Sequence, residues 1–255
     1  GYWGDHDPKS IKFKEGNPFR NAIVDYYRYI DGKIGEVLEA IDEETAVMIV
    51  SDHGAQRVDG CIVINEWLAK EGYLTVKSET DGIKDITLAD VDWKHTKAWA
   101  WGGYYSSVFL NVLGREENGV IPPEDYEKVR DELAEKLRNI ADDKGNAMKN
   151  TVIKPDQYYR NCERTPPDLI ACFGDLHWEP ISTMGHNKTH LVDPSLTDEA
   201  NHAWQGVFLL YDPTSQTEKA LGEISIYDVA PTILGVMGLE TPATLKGENL
   251  AENKG

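Results

Sequence analysis

The hydrophobic positions of this chain follow two different periods, which predicts a mixture of helices and strands. Between Asn17 and Asp42, apolar residues recur every three or four positions, the spacing of one buried stripe on a long amphipathic helix. An unbroken apolar run at 46–50 follows at once and is typical of a strand buried on both faces of a parallel sheet. This order indicates the α/β class, with a mostly parallel central sheet and helices on both faces.

The same patterns predict further elements along the chain. Residues 96–112 are expected to form two strands around a turn at Gly102 and Gly103. Pro122 and Pro123 are expected to precede a helix that runs to about Ala141, because apolar residues again recur on one side and proline is tolerated in a first helical turn. The remaining predicted elements are a short helix at Asn65–Lys70, a strand or edge hairpin at Tyr73–Val76, strands at Asp168–Phe173 and Val207–Tyr211, and a last helix at Tyr227–Met237.

Composition and charge exclude several classes of function. The formal net charge of -18 disfavours a nucleic-acid surface or an anionic membrane surface, since both require clustered Lys and Arg. The chain lacks an apolar run of bilayer length and a leader segment at its start, so a cytoplasmic location is expected. The three cysteines are widely spaced and predict free or buried thiols. A length of 255 residues suits one large domain.

Two adjacent side chains that can bind metal follow the apolar run. Asp52 and His53 would lie at the carboxyl end of the strand, where ligands bind in parallel sheets. A carboxylate beside an imidazole suits zinc or manganese better than calcium. Gly54 permits the turn that would bring the two side chains together. A polar turn after a core strand is the alternative explanation for these three residues.

A second group of candidate residues lies between Leu176 and Ala203, where four of the seven histidines fall in a segment rich in Gly, Pro, Asp and Asn. Long loops of this composition are commonly functional or mobile. His186 and His190 are four residues apart, but Gly185 makes a helix doubtful, so they are candidates for a substrate loop or for simple surface exposure. His202 precedes an apolar strand, where a solvated loop histidine is the alternative to a ligand.

Seven segments occur in an order typical of one enzyme family: Tyr26–Asp31, Val50–Gly54, Thr96–Trp101, Asn111–Glu116, Pro167–Leu169, Ala200–Ala203 and Asp228–Leu234. Taken together, these segments resemble the type I phosphodiesterase and nucleotide pyrophosphatase branch of the alkaline phosphatase superfamily. The Gly-Arg-Glu and Ala-Asn-His elements are similar to those of a bacterial and archaeal subgroup of phosphohydrolases or phosphomutases.

The resemblance implies an alkaline phosphatase-like fold and a two-metal enzyme that hydrolyses phosphodiesters or phosphate esters. It implies two divalent ions, with zinc expected and manganese or iron as alternatives, and a small phosphate-ester substrate. The Asp-His pair, here Asp52 and His53, would hold one ion, and His202 matches a late histidine that would help to hold the other. A metal-dependent phosphomutase and a non-catalytic α/β binding module are the alternative functions.

The chain departs from the family pattern upstream of Asp52. The family's Ser or Thr nucleophile and its Asp-x-x-x-His pair have no counterpart in the residues before Asp52. We therefore expect residues 1–255 to be the C-terminal portion of one catalytic domain that lacks its N-terminal part, with room for an inserted lobe at 60–165. The missing N-terminal segment would then be a partner, and this chain alone would be inactive. We also expect Asp52, His53 and His202 to meet at one rim of the sheet.

Overall fold

In the computed structural model of the protein, the described residues are 7–78, 82–159, 161–162, 164–214, 218 and 220–251. They form a mixed α/β fold with several small sheets. The fold divides into two compact units: residues 7–21 and 55–203 belong to the first, and residues 22–54 and 204–251 belong to the second. The inserted lobe expected within residues 60–165 stays a prediction.

The described residues contain four α-helices and eleven strands. The helices are α1 (Ala22–Ala40), α2 (Ile64–Lys70), α3 (Tyr126–Arg138) and α4 (Val229–Val236). The first strands are β1 (Val47–Val50), β2 (Gly54–Gln56), β3 (Gly60–Val63), β4 (Ala98–Trp101), β5 (Ser106–Leu110) and β6 (Thr151–Ile153). They are followed by β7 (Leu169–Cys172), β8 (Trp178–Ile181), β9 (His190–Leu191), β10 (Asn201–Ala203) and β11 (Phe208–Tyr211).

A four-stranded sheet in the order β4–β5–β7–β6 forms one part of the first unit. All its neighbouring strands are antiparallel. The predicted hairpin around Gly102 and Gly103 is confirmed, with Trp101 opposite Ser107. The predicted helix after Pro122 is also confirmed as α3, whose buried Leu133, Ala134 and Leu137 join the hydrophobic core.

A three-stranded sheet in the order β8–β3–β9 forms the other part of the first unit. Its central strand β3 is fully buried, and it is parallel to β8 and antiparallel to β9. The buried Asn65 in α2 connects this region to β4: its Nδ2 donates to the carbonyls of Ala100 and Ser182, and its Oδ1 accepts the Ala100 N–H. A buried amide whose donors and acceptor are paired is stable there.

The second unit contains α1, β1, β11 and α4. Its two strands form an antiparallel ladder in which Val50 lies opposite Phe208. The N-terminus of α4 follows a capping box in which Ser225 and Asp228 exchange hydrogen bonds between side chain and backbone. Helix α1 confirms the predicted long helix, but none of its residues is buried, so the expected buried stripe is not formed within the described residues.

The described strands do not form the mostly parallel central sheet that the sequence predicts. Among the strand pairs with a described register, β3–β8 is the one parallel pair. A four-residue connection, such as the one between β4 and β5, joins antiparallel strands, because a parallel crossover needs a dozen or more residues. The apolar residues at 46–50 predict a strand that is buried on both faces. Ile49 and Val50 are instead exposed, since one neighbour, β11, pairs with β1 in the described residues.

The histidine-rich segment between Leu176 and Ala203 also differs from the expected long loop, because it contains β8, β9 and β10. The three cysteines are free, with Cys61 and Cys172 buried and Cys162 exposed, as the spacing predicted. Among the described residues, no helix is both long and apolar enough to cross a membrane.

Candidate metal centre

The end of β1 is fixed by contacts with the segment that enters β11. Ser51 donates its N–H to the Val207 carbonyl at 3.0 Å, and its Oγ accepts the Val207 N–H at 2.9 Å. Gly206 permits this close approach, since a Cβ there would lie 2.4 Å from the Ser51 Oγ. Two hydrogen bonds to Val207 therefore fix the backbone directly before Asp52 and His53.

Asp52 and His53 lie side by side directly after this fixed position. The Asp52 Oδ1 accepts the His53 backbone N–H at 3.0 Å, and the Asp52 Oδ2 lies 3.6 Å from the His53 Nε2. The His53 Nδ1 is 2.8 Å from the Gly54 carbonyl oxygen. Both side chains reach solvent, with 82% of the Asp52 side chain and 41% of the His53 side chain exposed. The chain bends at Asp52, and Gly54 is the first residue of β2.

The hydrogen bond to Gly54 determines which imidazole nitrogen can bind a metal. A carbonyl oxygen can only accept, so the neutral His53 ring carries its proton on Nδ1 and its lone pair on Nε2, the atom that faces Asp52. Metal-binding histidines almost always donate the other ring N–H in this way. Two donors each about 2.1 Å from a tetrahedral zinc lie about 3.4 Å apart. The Asp52–His53 distance of 3.6 Å fits such an ion.

The pair is a partial ligand set. Within the described residues, no three or more His, Cys, Asp or Glu side chains come together as a metal-binding group. Catalytic zinc sites use three protein ligands and a water. The predicted meeting of His202 with Asp52 and His53 stays a prediction.

His202 lies in the first unit, on β10, beside a buried amide. Asn201 is almost fully buried, and its Oδ1 accepts the His202 N–H at 2.7 Å. Its Nδ2 donates to the Leu176 carbonyl at 2.9 Å and to the Tyr104 carbonyl at 3.2 Å. The Tyr104 ring packs edge-on against the His202 ring, with 4.0 Å between centroids. Sequence reasoning did not single out Tyr104; the aromatic residues flanking Gly102 and Gly103 were the available signal.

The two candidate substrate-loop histidines have different surroundings in the first unit. The His186 Nε2 lies 2.9 Å from the Thr183 Oγ1. His190 uses both ring nitrogens, since its Nε2 donates to the Ala141 carbonyl at 2.8 Å and its Nδ1 accepts from the Thr189 Oγ1 at 3.0 Å. A substrate contact through His190 would have to replace one of these bonds.

A family model for type I phosphodiesterase / nucleotide pyrophosphatase matches residues 3–206 of the chain. This match covers most of the sequence. The chain belongs to the type I phosphodiesterase / nucleotide pyrophosphatase family. Comparisons with curated proteins and with solved structures give no match.

The family match includes the candidate ligands. One of the elements that carry the resemblance, Gly-Arg-Glu, has a structural role. The matched residues contain Asp52, His53 and His202 but end before α4, so the Asp228–Leu234 segment lies outside the match. The Gly-Arg-Glu element owes its form to packing: Arg115 binds the buried Asp168, and Glu116 accepts the Val112 N–H.

Proposed function

We propose that this chain is part of a metal-dependent phosphoryl-transfer hydrolase that acts on phosphodiesters or phosphate esters. Asp52 and His53 bind one divalent ion, and His202 contributes to a second. Family membership supports the reaction class, and an alkaline phosphatase-like catalytic fold follows from it as part of the same proposal. The observation that carries the proposal is the Asp52–His53 geometry, in which the Nδ1 bond to Gly54 leaves Nε2 facing a carboxylate at 3.6 Å.

The side chains of this site have distinct roles. Asp52 supplies negative charge and a hard oxygen ligand, and His53 supplies a neutral nitrogen ligand whose ring orientation is set by Gly54. The contacts of Ser51 with Val207 keep both residues at the end of β1. Two bound divalent ions supply positive charge that activates the attacking oxygen, binds a non-bridging oxygen and stabilises the leaving group. Zinc is the expected metal, because the donors are one carboxylate and imidazoles.

Zinc binding by the 255-residue chain tests this proposal. Asp52→Asn and His53→Ala should each weaken zinc binding at least about tenfold in competition with a chelating dye, because each removes a ligand. The matched control is Asp92→Asn, since Asp92 and His95 form another partly exposed acid–histidine pair, with 2.8 Å between Oδ2 and Nδ1. A chain that binds no zinc, or one that loses as much affinity with Asp92→Asn as with Asp52→Asn, would overturn the proposal.

Hydrolysis provides the second measurement. Any turnover of bis(4-nitrophenyl) phosphate should disappear with a chelator, return with zinc, and be absent in Asp52→Asn. Turnover that survives both the chelator and the substitution would show that Asp52 does not serve a metal-dependent reaction.

A further inference from the structure

Tyr104 lies against His202, and its position depends on the turn of the β4–β5 hairpin, to which it belongs. Gly102 lets the hairpin approach β8 closely, because a Cβ at this position would lie 2.4 Å from the Pro180 carbonyl oxygen. Gly103 then donates its N–H to the same carbonyl at 2.9 Å. The turn is therefore held against β8 by its backbone, and the position of Tyr104 is determined by that attachment.

Asn201 connects this turn to the strand that carries His202. Its buried side chain bonds three pieces of backbone: the Tyr104 carbonyl, the Leu176 carbonyl and the His202 N–H. Moving this buried amide would cost free energy, since each broken hydrogen bond leaves a buried polar group unpaired. The backbone of β10 and the backbone of the hairpin are thus kept in one arrangement at His202.

From this arrangement we infer that Tyr104 is a positioning residue for His202, acting through its ring on the orientation of the imidazole. The inference rests on the proposed function, in which His202 binds a metal ion. The ring centroids are 4.0 Å apart and the planes are inclined at 61°, so the tyrosine ring restricts rotation of the imidazole. The contact involves the ring, so it requires an aromatic side chain and does not require the tyrosine hydroxyl.

Restricting the imidazole before the ion binds removes an entropic cost from binding. A ligand whose ring already points in the binding direction loses less rotamer freedom on coordination. Supporting side chains around metal ligands typically change metal affinity about 10- to 100-fold when they are replaced. Loss of the Tyr104 ring should therefore weaken binding at His202 by about tenfold or more, while the fold is retained because Tyr104 is half exposed.

The test is a zinc titration of the 255-residue chain followed by NMR of the His202 ring, whose signals are assigned by their loss in His202→Gln. Tyr104→Ala should shift the midpoint at His202 to about tenfold higher zinc. Tyr104→Phe should keep the midpoint of the unaltered chain, because it keeps the ring. Tyr105→Ala is the matched control, since the Tyr105 side chain is 47% exposed and that of Tyr104 is 50% exposed. It should leave the midpoint unchanged.

The two claims fail differently in this experiment. His202 signals that do not respond to zinc would overturn both the role of His202 in the proposed function and the inference about Tyr104. His202 signals that respond with the same midpoint in Tyr104→Ala would leave the proposed function in place and overturn the positioning role. A Tyr105→Ala shift as large as that of Tyr104→Ala would also overturn it.

Discussion

Arg115 and Asp168 form a bidentate ion pair, with Nη1–Oδ1 and Nη2–Oδ2 distances of 2.6 and 2.8 Å. The Asp168 carboxylate is buried and also accepts the Leu110 N–H at 2.6 Å and the Tyr126 hydroxyl at 2.8 Å. The hydrogen bonds to Asp168 raise the pKa of Arg115. Burial and, after it, the bond to Asp168 raise the pKa of Tyr126 to about 12. The Asp168 carboxylate therefore joins β5 to α3 through its hydrogen bonds to Leu110 and Tyr126.

Asp168→Asn should destabilise the protein by about 1–3 kcal/mol, because at this buried position an amide offers one acceptor atom where the carboxylate offers two to Arg115, Leu110 and Tyr126, and a buried donor is left unpaired. Urea unfolding measures this change. Asp25→Asn is the matched control, since Asp25 pairs with Arg28 on the surface of α1 with 64% of its side chain exposed. Exposed pairs contribute about 0–1 kcal/mol. Equal losses in the two variants would mean that the Asp168 carboxylate is not buried and paired as described.

A second prediction concerns two glycines with opposite surroundings. Gly102→Ala should destabilise the first unit by about 1–3 kcal/mol, since its Cβ would meet the Pro180 carbonyl oxygen at 2.4 Å. Gly32→Ala in α1 should stabilise the protein by about 0.5–1 kcal/mol, since no heavy atom lies within 4 Å of the added Cβ and alanine favours the helix. A urea midpoint that Gly102→Ala leaves unchanged or raises would contradict the described hairpin contact, and one that Gly32→Ala lowers would contradict the open surroundings of Gly32.

The elements that could be predicted from the sequence are those with a strong local signal. Helix α3 followed from regular apolar spacing after two prolines, and the β4–β5 hairpin followed from Gly102 and Gly103. The prediction that Asp52 and His53 bind one metal ion also comes from adjacent residues and a glycine, and it stays a prediction. In each case, the residues that determine the structure lie close together in the sequence.

The rest depended on partners that are distant in the sequence. Strand β8 was missed because it contains Glu179 and Pro180, residues that argue against a buried strand, and its pairing with β3 crosses more than a hundred positions. The burial of β1 was predicted wrongly because an apolar run does not show how many strands pair with it, and within the described residues β1 pairs with β11. The contact of Tyr104 with His202 spans 98 residues and has no local pattern.

Glu179 supplies a prediction about pH. Its side chain is buried and lies opposite Cys61 in the β3–β8 register; Oε2 accepts the Asp198 N–H at 3.0 Å, and Oε1 has no hydrogen-bond partner in the described structure. Burial raises the pKa of Glu179 above its ordinary value of 4.5, although the Asp198 bond and the charge of Lys12 oppose this. The folded state therefore favours the neutral acid.

A raised pKa in the folded state stabilises the protein fully below the ordinary pKa of 4.5, and this contribution is lost as the pH rises through the folded pKa. Glu179→Gln stays neutral throughout, so its stability relative to the unaltered chain should increase between about pH 4 and pH 7, by about 1 kcal/mol. Urea unfolding at both pH values measures this, with the exposed Glu135→Gln as the control. A difference that stays constant with pH would mean that folding does not raise the pKa of Glu179.

The two candidate substrate-loop histidines should differ in what their removal changes. His190→Ala should destabilise the first unit by about 1–3 kcal/mol, because it leaves the half-buried Ala141 carbonyl without its donor and removes the ring that packs edge-on against Trp178 at 5.8 Å. His186→Ala should cost less than about 1 kcal/mol, since the bond to the Thr183 hydroxyl can be replaced by water. Thermal and urea unfolding measure both changes.

Substrate binding separates this structural role from a functional one. With bis(4-nitrophenyl) phosphate as the probe, His190→Ala should leave binding unchanged under conditions in which the variant remains folded, because both ring nitrogens already serve the fold. If His190→Ala weakened binding of the probe without lowering stability, the hydrogen bonds to Ala141 and Thr189 could not be its main role, and His190 would belong to the substrate loop.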